Sequence, residues 1–131
     1  MLDVTAFFAG ILGLMLVALS INIIIDRYRY KVSLGDGGHA DTNRKIRAQA
    51  NFVEYVPFAL ILMVIGEISG TEKDILAYLG VLLVFGRISH AFSLLYFESR
   101  FKKIIFRQIG MVSTFTVIIL LSLIFALGHL A

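Results

Sequence analysis

A cation, an amide and a carboxylate stand together where an apolar run begins: Arg47, Asn51 and Glu54 in Arg47-Ala-Gln-Ala-Asn51-Phe-Val-Glu54-Tyr55-Val-Pro57. Spacings of four and then three residues put them on one face of an α-helix. Phe52, Val53, Val56 and Phe58 cover its other sides, and no turn residue separates the stripe from the run Phe58 to Ile65. Charges carried into hydrocarbon are expensive, so they face a bundle interior or a wet cavity and take part in function. The bland alternative is that the three bridge neighbouring helices as polar glue. Arg87 and His90 share a face of a later apolar run, Arg107 stands in the first turns of the last, and Arg27 closes the first. An arginine as deep as Arg87 needs a partner, and Glu54 is the candidate within the chain. Arginines offer planar, permanently charged donors for carboxylates, and Glu54 can receive an ammonium group. The set therefore suits a small anion that carries an amine, such as a peptide. His90 by itself reads as an interior hydrogen-bonding residue, and without further ligands at suitable spacing no metal site is expected.

The elements that must position these groups are long apolar helices. Of 131 residues, 59% are hydrophobic and 16% charged, whereas soluble chains run nearer 45–50% and 25%. The mean hydropathy is +0.89, and the apolar residues fall into four runs long enough to cross a bilayer, at about 4–25, 48–69, 75–97 and 104–130. The fold class expected is an all-α integral membrane bundle of four transmembrane helices in a single domain. The first run lacks a basic leader and a cleavage site, so it reads as a retained span. Asp26 to Lys31 closes it with charges and aromatics, and Leu34-Gly-Asp36-Gly-Gly-His39 is a loop without the Lys-Ser/Thr of a phosphate cradle. Asp41 or Thr42 can cap the second helix. Pro57 removes one backbone donor within it and is expected to bend it, and Glu67 lies close enough to its end to reach water. Gly70 to Asp74 is a short turn that makes the second and third spans antiparallel neighbours. Ser113, Thr114, Thr116 and Ser122 suit close helix packing in the fourth span, and His129 reads as interfacial.

The charges also orient the chain. A net charge of +3 and a pI near 9.4 could suggest nucleic acid, but the basic residues flank apolar runs, and no motif offers a helix to a groove. Arg27, Arg29, Lys31, Arg44, Lys45 and Arg47 crowd the first connection, and Arg100, Lys102, Lys103 and Arg107 the third. The positive-inside rule then places both termini outside and gathers the polar candidates at the cytoplasmic leaflet. Because they stop there and the outer halves are greasy, a transporter or channel subunit ranks last among the functions. With no cysteine in the chain, any thiol chemistry must bring its sulfur on the substrate.

The pattern Arg47-x-x-x-Asn51-x-x-Glu54-Tyr55-x-Pro57 resembles the second-helix signature of the MAPEG family, the membrane-associated proteins in eicosanoid and glutathione metabolism. Arg27, Arg87 with His90, and Arg107 extend the resemblance along the chain, and the Leu34-Gly-Asp-Gly-Gly loop is similar to the bacterial inner-membrane branch. The resemblance implies a homotrimer of four-helix protomers with glutathione as co-substrate, bound between protomers near the cytoplasmic leaflet. It implies glutathione contacts from Arg27, Arg47, Asn51, Glu54 and Tyr55, alongside Arg87 and His90. It also implies a thiolate-stabilising role for the arginine opening the fourth span, Arg107, with Arg100 as its rival. A guanidinium beside a thiol favours the anion, which is the nucleophile. The function so implied is that of a glutathione transferase or peroxidase-like enzyme attacking an apolar electrophile or lipid hydroperoxide from the bilayer. The alternative is a non-catalytic glutathione-binding or structural member, since His90 and Leu94 stand where the better-studied eukaryotic enzymes carry tyrosines.

Overall fold

The computed structural model describes residues 1–128, so the expectation for His129 and the end of the fourth run lie outside the described residues. Four helices long and apolar enough to cross a membrane make up the bundle. Helix α1 spans Asp3–Tyr30 and α2 spans Ala40–Ile68, with Pro57 inside it. Helix α3 spans Lys73–Phe92, widens into a π-helical turn over Ser93–Phe97, and continues as the short α4, Glu98–Phe101. Helix α5 spans Ile105–Gly128.

Each helix end finds its backbone partners in a way that the local sequence explains. Lys31 takes a left-handed conformation, and Val32 and Lys31 donate back to the carbonyls of Arg27 and Tyr28. This double closure ends α1 with a lysine where glycine is the usual residue. In the loop, Asp36 accepts from the Gly38 amide through its side chain and from His39 through its carbonyl, while the His39 ring stacks on Tyr30 at 3.7 Å. Neither Asp41 nor Thr42 caps α2, contrary to expectation. His39 is the capping position, Asp41 pairs with Arg44, and the Thr42 hydroxyl donates to Asp26 at 3.0 Å. The reason is Asp26 itself: only 1% exposed, it needs donors more than the helix end does, and Lys45 supplies another at 2.7 Å.

Glu67 is half-buried near the end of α2, and it accepts from the Val4 and Thr5 amides at 2.9 and 2.8 Å. Those amides are among the first of α1, which have no partner within their own helix, and a carboxylate there meets the positive end of the helix dipole. A carboxylate at the end of α2 thus seals the start of α1.

The closest helix contact joins α3 to α5. Gly86 and Gly110 face each other so tightly that a Cβ on Gly86 would sit 2.8 Å from the Ser113 Cβ and 2.9 Å from the Gly110 carbonyl oxygen. Small residues allow this approach in the absence of a hydrophobic force between helices in lipid. Leu12, Met63, Leu76, Leu83, Val117 and Leu121 fill the interior, while apolar side chains on every long helix face outward.

Candidate functional site

The Gly86–Gly110 contact brings the polar face of α3 against the start of α5, next to the polar stripe of α2. Between them lies a pocket of about 380 Å³ lined by Arg47, Asn51, His90, Leu94, Arg107 and Met111 among others. Arg87, 1% exposed, lies outside that lining and is bonded to Asn51, which belongs to it. The Arg87 Nη2 donates to Asn51 Oδ1 at 2.6 Å, and Nη1 lies 3.4 Å from Thr114 Oγ1, whose hydroxyl donates to the Gly110 carbonyl. Asn51 is thereby oriented: its oxygen is committed to Arg87, leaving its amide hydrogens for a ligand. His90 is 2% exposed, and its Nδ1 has no hydrogen-bond partner among the described residues, as is also true of Arg87 Nε. A buried nitrogen in that state calls for explanation, and a pocket ligand or water can supply it.

The π turn shapes the pocket rim. It brings residues five apart into register, so that Ser93 Oγ donates to Glu98 Oε1 at 2.9 Å. The same carboxylate oxygen meets Arg107 Nε at 3.4 Å. This leaves the two Nη groups of Arg107 for other partners. Arg47 and Arg107 thus flank a pocket whose lining includes no carboxylate, and Glu98 is tied to the side of Arg107. Such a site attracts anions, and its low-dielectric walls strengthen that attraction. Arg100 lies elsewhere, over the Phe101 ring at 5.8 Å, so the geometry places Arg107 at the pocket and leaves Arg100 outside its lining.

Besides Arg87, three further candidates do not line this pocket within one chain. Arg27 donates through Nε to the Gly35 carbonyl at 3.2 Å and lines a separate cleft of about 520 Å³ with Tyr28 and Lys31. Tyr55 packs its ring edge against Phe115, centroids 5.3 Å apart. Glu54 is exposed and makes no ion pair among the described residues. The expected Glu54–Arg87 pair is therefore corrected: Arg87 faces the α2–α5 seam and is held by Asn51 and Thr114, while Glu54 faces outward from α2. Of the arginines singled out in the sequence, Arg47 and Arg107 line this pocket, whereas Arg87 is buried and bonded to Asn51 and Arg27 lines the separate cleft. Sequence reasoning missed Ser93 and Glu98. Their signal was there in a spacing of five, but a reading at 3.6 residues per turn puts them on different faces.

The family model of the MAPEG family matches residues 5–127. "Inner membrane protein YecN" of Escherichia coli strain K12 is 32% identical over 120 residues, covering 92% of this chain and 88% of that protein. The protein of the same name from Escherichia coli O6:H1 gives the same figures. No solved structure matches at a significant level. A four-helix chain matched almost end to end, with Arg47 and Asn51 oriented on one pocket, belongs to the MAPEG family.

Proposed function

We propose that this chain is a glutathione-binding protein of the inner membrane that activates the glutathione thiol for attack on an apolar electrophile or lipid hydroperoxide. The observation that carries this reading is the convergence of Arg47, Asn51 and Arg107 from two helices on one pocket. Glutathione is a small anion with an amine and a thiol. Arg47 and the Asn51 amide would hold a carboxylate and the peptide, while the free Nη groups of Arg107 would face the sulfur. A guanidinium there stabilises the thiolate over the thiol, which raises the nucleophile population at neutral pH. His90 would complete a hydrogen bond to the bound peptide through its unpartnered nitrogen.

The site would be completed by a neighbouring protomer in a homotrimer. Glu54 supports this: an exposed carboxylate within an apolar span is costly against lipid and is accommodated against protein or a wet ligand site. Arg27, set apart in its own cleft, would reach the ligand from the next protomer. Both termini would lie outside, with the basic connections in the cytoplasm. One observation favours the second reading, a non-catalytic glutathione-binding or structural member: Arg107 already has a carboxylate neighbour in Glu98, which offsets part of the field that a thiolate would feel.

Titration of the detergent-purified protein with glutathione, followed by calorimetry and by absorbance at the thiolate band, tests the proposal. Binding with thiolate formation supports the enzyme. Binding without thiolate supports the second reading in its glutathione-binding form, and the absence of binding overturns the enzyme and leaves a structural member.

A further inference from the structure

On the face of α3 turned away from the pocket, a polar cleft and an apolar groove share three lining residues, Asn22, Leu95 and Tyr96. The groove, about 480 Å³, runs between α1 and α3 along Ile11, Met15, Ala18, Val84, Ile88 and Ala91. The cleft, about 240 Å³, adds Asp41, Lys45 and Ser99 at the basic end of the bundle. From Ile11 to Asn22 the helix rises about 16 Å at 1.5 Å per residue, close to half of a hydrocarbon core about 30 Å thick. The combined site is thus one leaflet deep, with its polar end at the headgroup level.

We infer that this cleft and groove form a binding site for a single membrane phospholipid whose headgroup carries a phosphate and a primary ammonium. The charges are complementary to such a head. Asp41 and Lys45 stand four apart on one face of α2. Lys45 gives one proton to Asp26 and keeps two for a phosphate. Asp41 uses one carboxylate oxygen on Arg44 and keeps the other for an ammonium. At the junction, the half-buried Asn22 side-chain amide makes no hydrogen bond among the described residues. An intramembrane amide in that position suits the ester carbonyl of a lipid, whose acyl chain then lies along the groove. A primary ammonium donates hydrogen bonds that a quaternary one cannot, so the site distinguishes ethanolamine from choline heads.

The test is native mass spectrometry of the full chain in detergent with an equimolar mixture of dioleoyl phosphatidylethanolamine, phosphatidylcholine and phosphatidylglycerol. The ethanolamine lipid should be retained about fivefold over either competitor, the size expected of one partly exposed charge pair. Asp41→Asn should remove its advantage over the choline lipid, and Ala18→Phe, on an exposed position that leaves the core intact, should abolish retention. Equal retention of all three lipids, or unchanged retention in Ala18→Phe, overturns the inference. Because the chain has no cysteine, Ala18→Cys reports what covers the groove in membranes. Reaction with a lipid-phase maleimide supports the lipid site, whereas a disulfide-linked dimer assigns the groove to a second copy and overturns it.

Discussion

Asn51→Ala should destabilise the bundle before it affects any ligand. Arg87 is 1% exposed, and its hydrogen bond to Asn51 at 2.6 Å is the short one of its two, with Thr114 at 3.4 Å. Polar contacts between membrane helices average only about 0.6 kcal/mol, because the alternative state also finds partners. A hydrogen bond to a charged group is worth about 1.5–3 kcal/mol, and its loss leaves that charge short of a partner where water is excluded. We therefore expect a loss of about 2 kcal/mol, roughly thirtyfold in the unfolding equilibrium. Denaturant titration in mixed micelles, followed by helical circular dichroism, measures it. A cycle with Arg87→Met isolates the pair, since removing both partners spares the penalty of an orphaned charge. A cost near 0.6 kcal/mol, or the same cost for Asn51→Ala with and without Arg87, would refute the view that Asn51 is the guanidinium's chief partner.

Other substitutions probe the remaining elements. Arg107→Ala should abolish thiolate formation on glutathione binding while leaving chain association intact, checked by difference absorbance and by light scattering; retained thiolate would move that role elsewhere. Glu67→Ala should cost about 1 kcal/mol, the scale of a lost helix cap, and should raise hydrogen exchange at the Val4 and Thr5 amides specifically. Gly110→Val should separate α3 from α5, because a Cβ there would lie 2.5 Å from the Gly86 carbonyl oxygen; a stable, correctly folded variant would show that the seam can slide. In the cysteine-free chain, Ser33→Cys should label from the cytoplasm and Glu72→Cys from outside, and the reverse pattern would invert the topology. Ser33 suits the labelling because it is exposed in the loop after α1.

The helices were legible because the signals that set them are local. Apolar run length and flanking charge need no knowledge of neighbours, and the four long helices follow from them. The polar stripe of α2 was legible for the same reason, as Arg47 and Asn51 share a face whatever surrounds them. Pairings across helices were not. Glu54 and Arg87 have opposite charges, and pairing them ignores the rotation of each helix about its axis, which for α3 the Gly86–Gly110 approach sets. That rotation turns Arg87 toward Thr114 and Asn51. The partners of Asp26 and Glu67 were not legible either, because they stand on a neighbouring helix far along the chain. The π turn at Ser93–Phe97 was not legible, because its residues fit an ordinary helix equally well and the five-residue spacing of Ser93 and Glu98 gains meaning only once the turn is known.

Glu67 lies 63 and 62 residues along the chain from the amides that it accepts from. During synthesis the first helix therefore emerges with an unfinished end, and nothing within its own segment can finish it. It stays incomplete until almost all of the second helix has been made and has folded back beside it. The contact also requires the two ends to lie on the same side of the bilayer, so it rewards only the antiparallel hairpin. A chain that inserted its first two spans in any other arrangement would leave an unpaired carboxylate and a bare helix end apart, each a mark by which membrane quality control could tell it from the native protein.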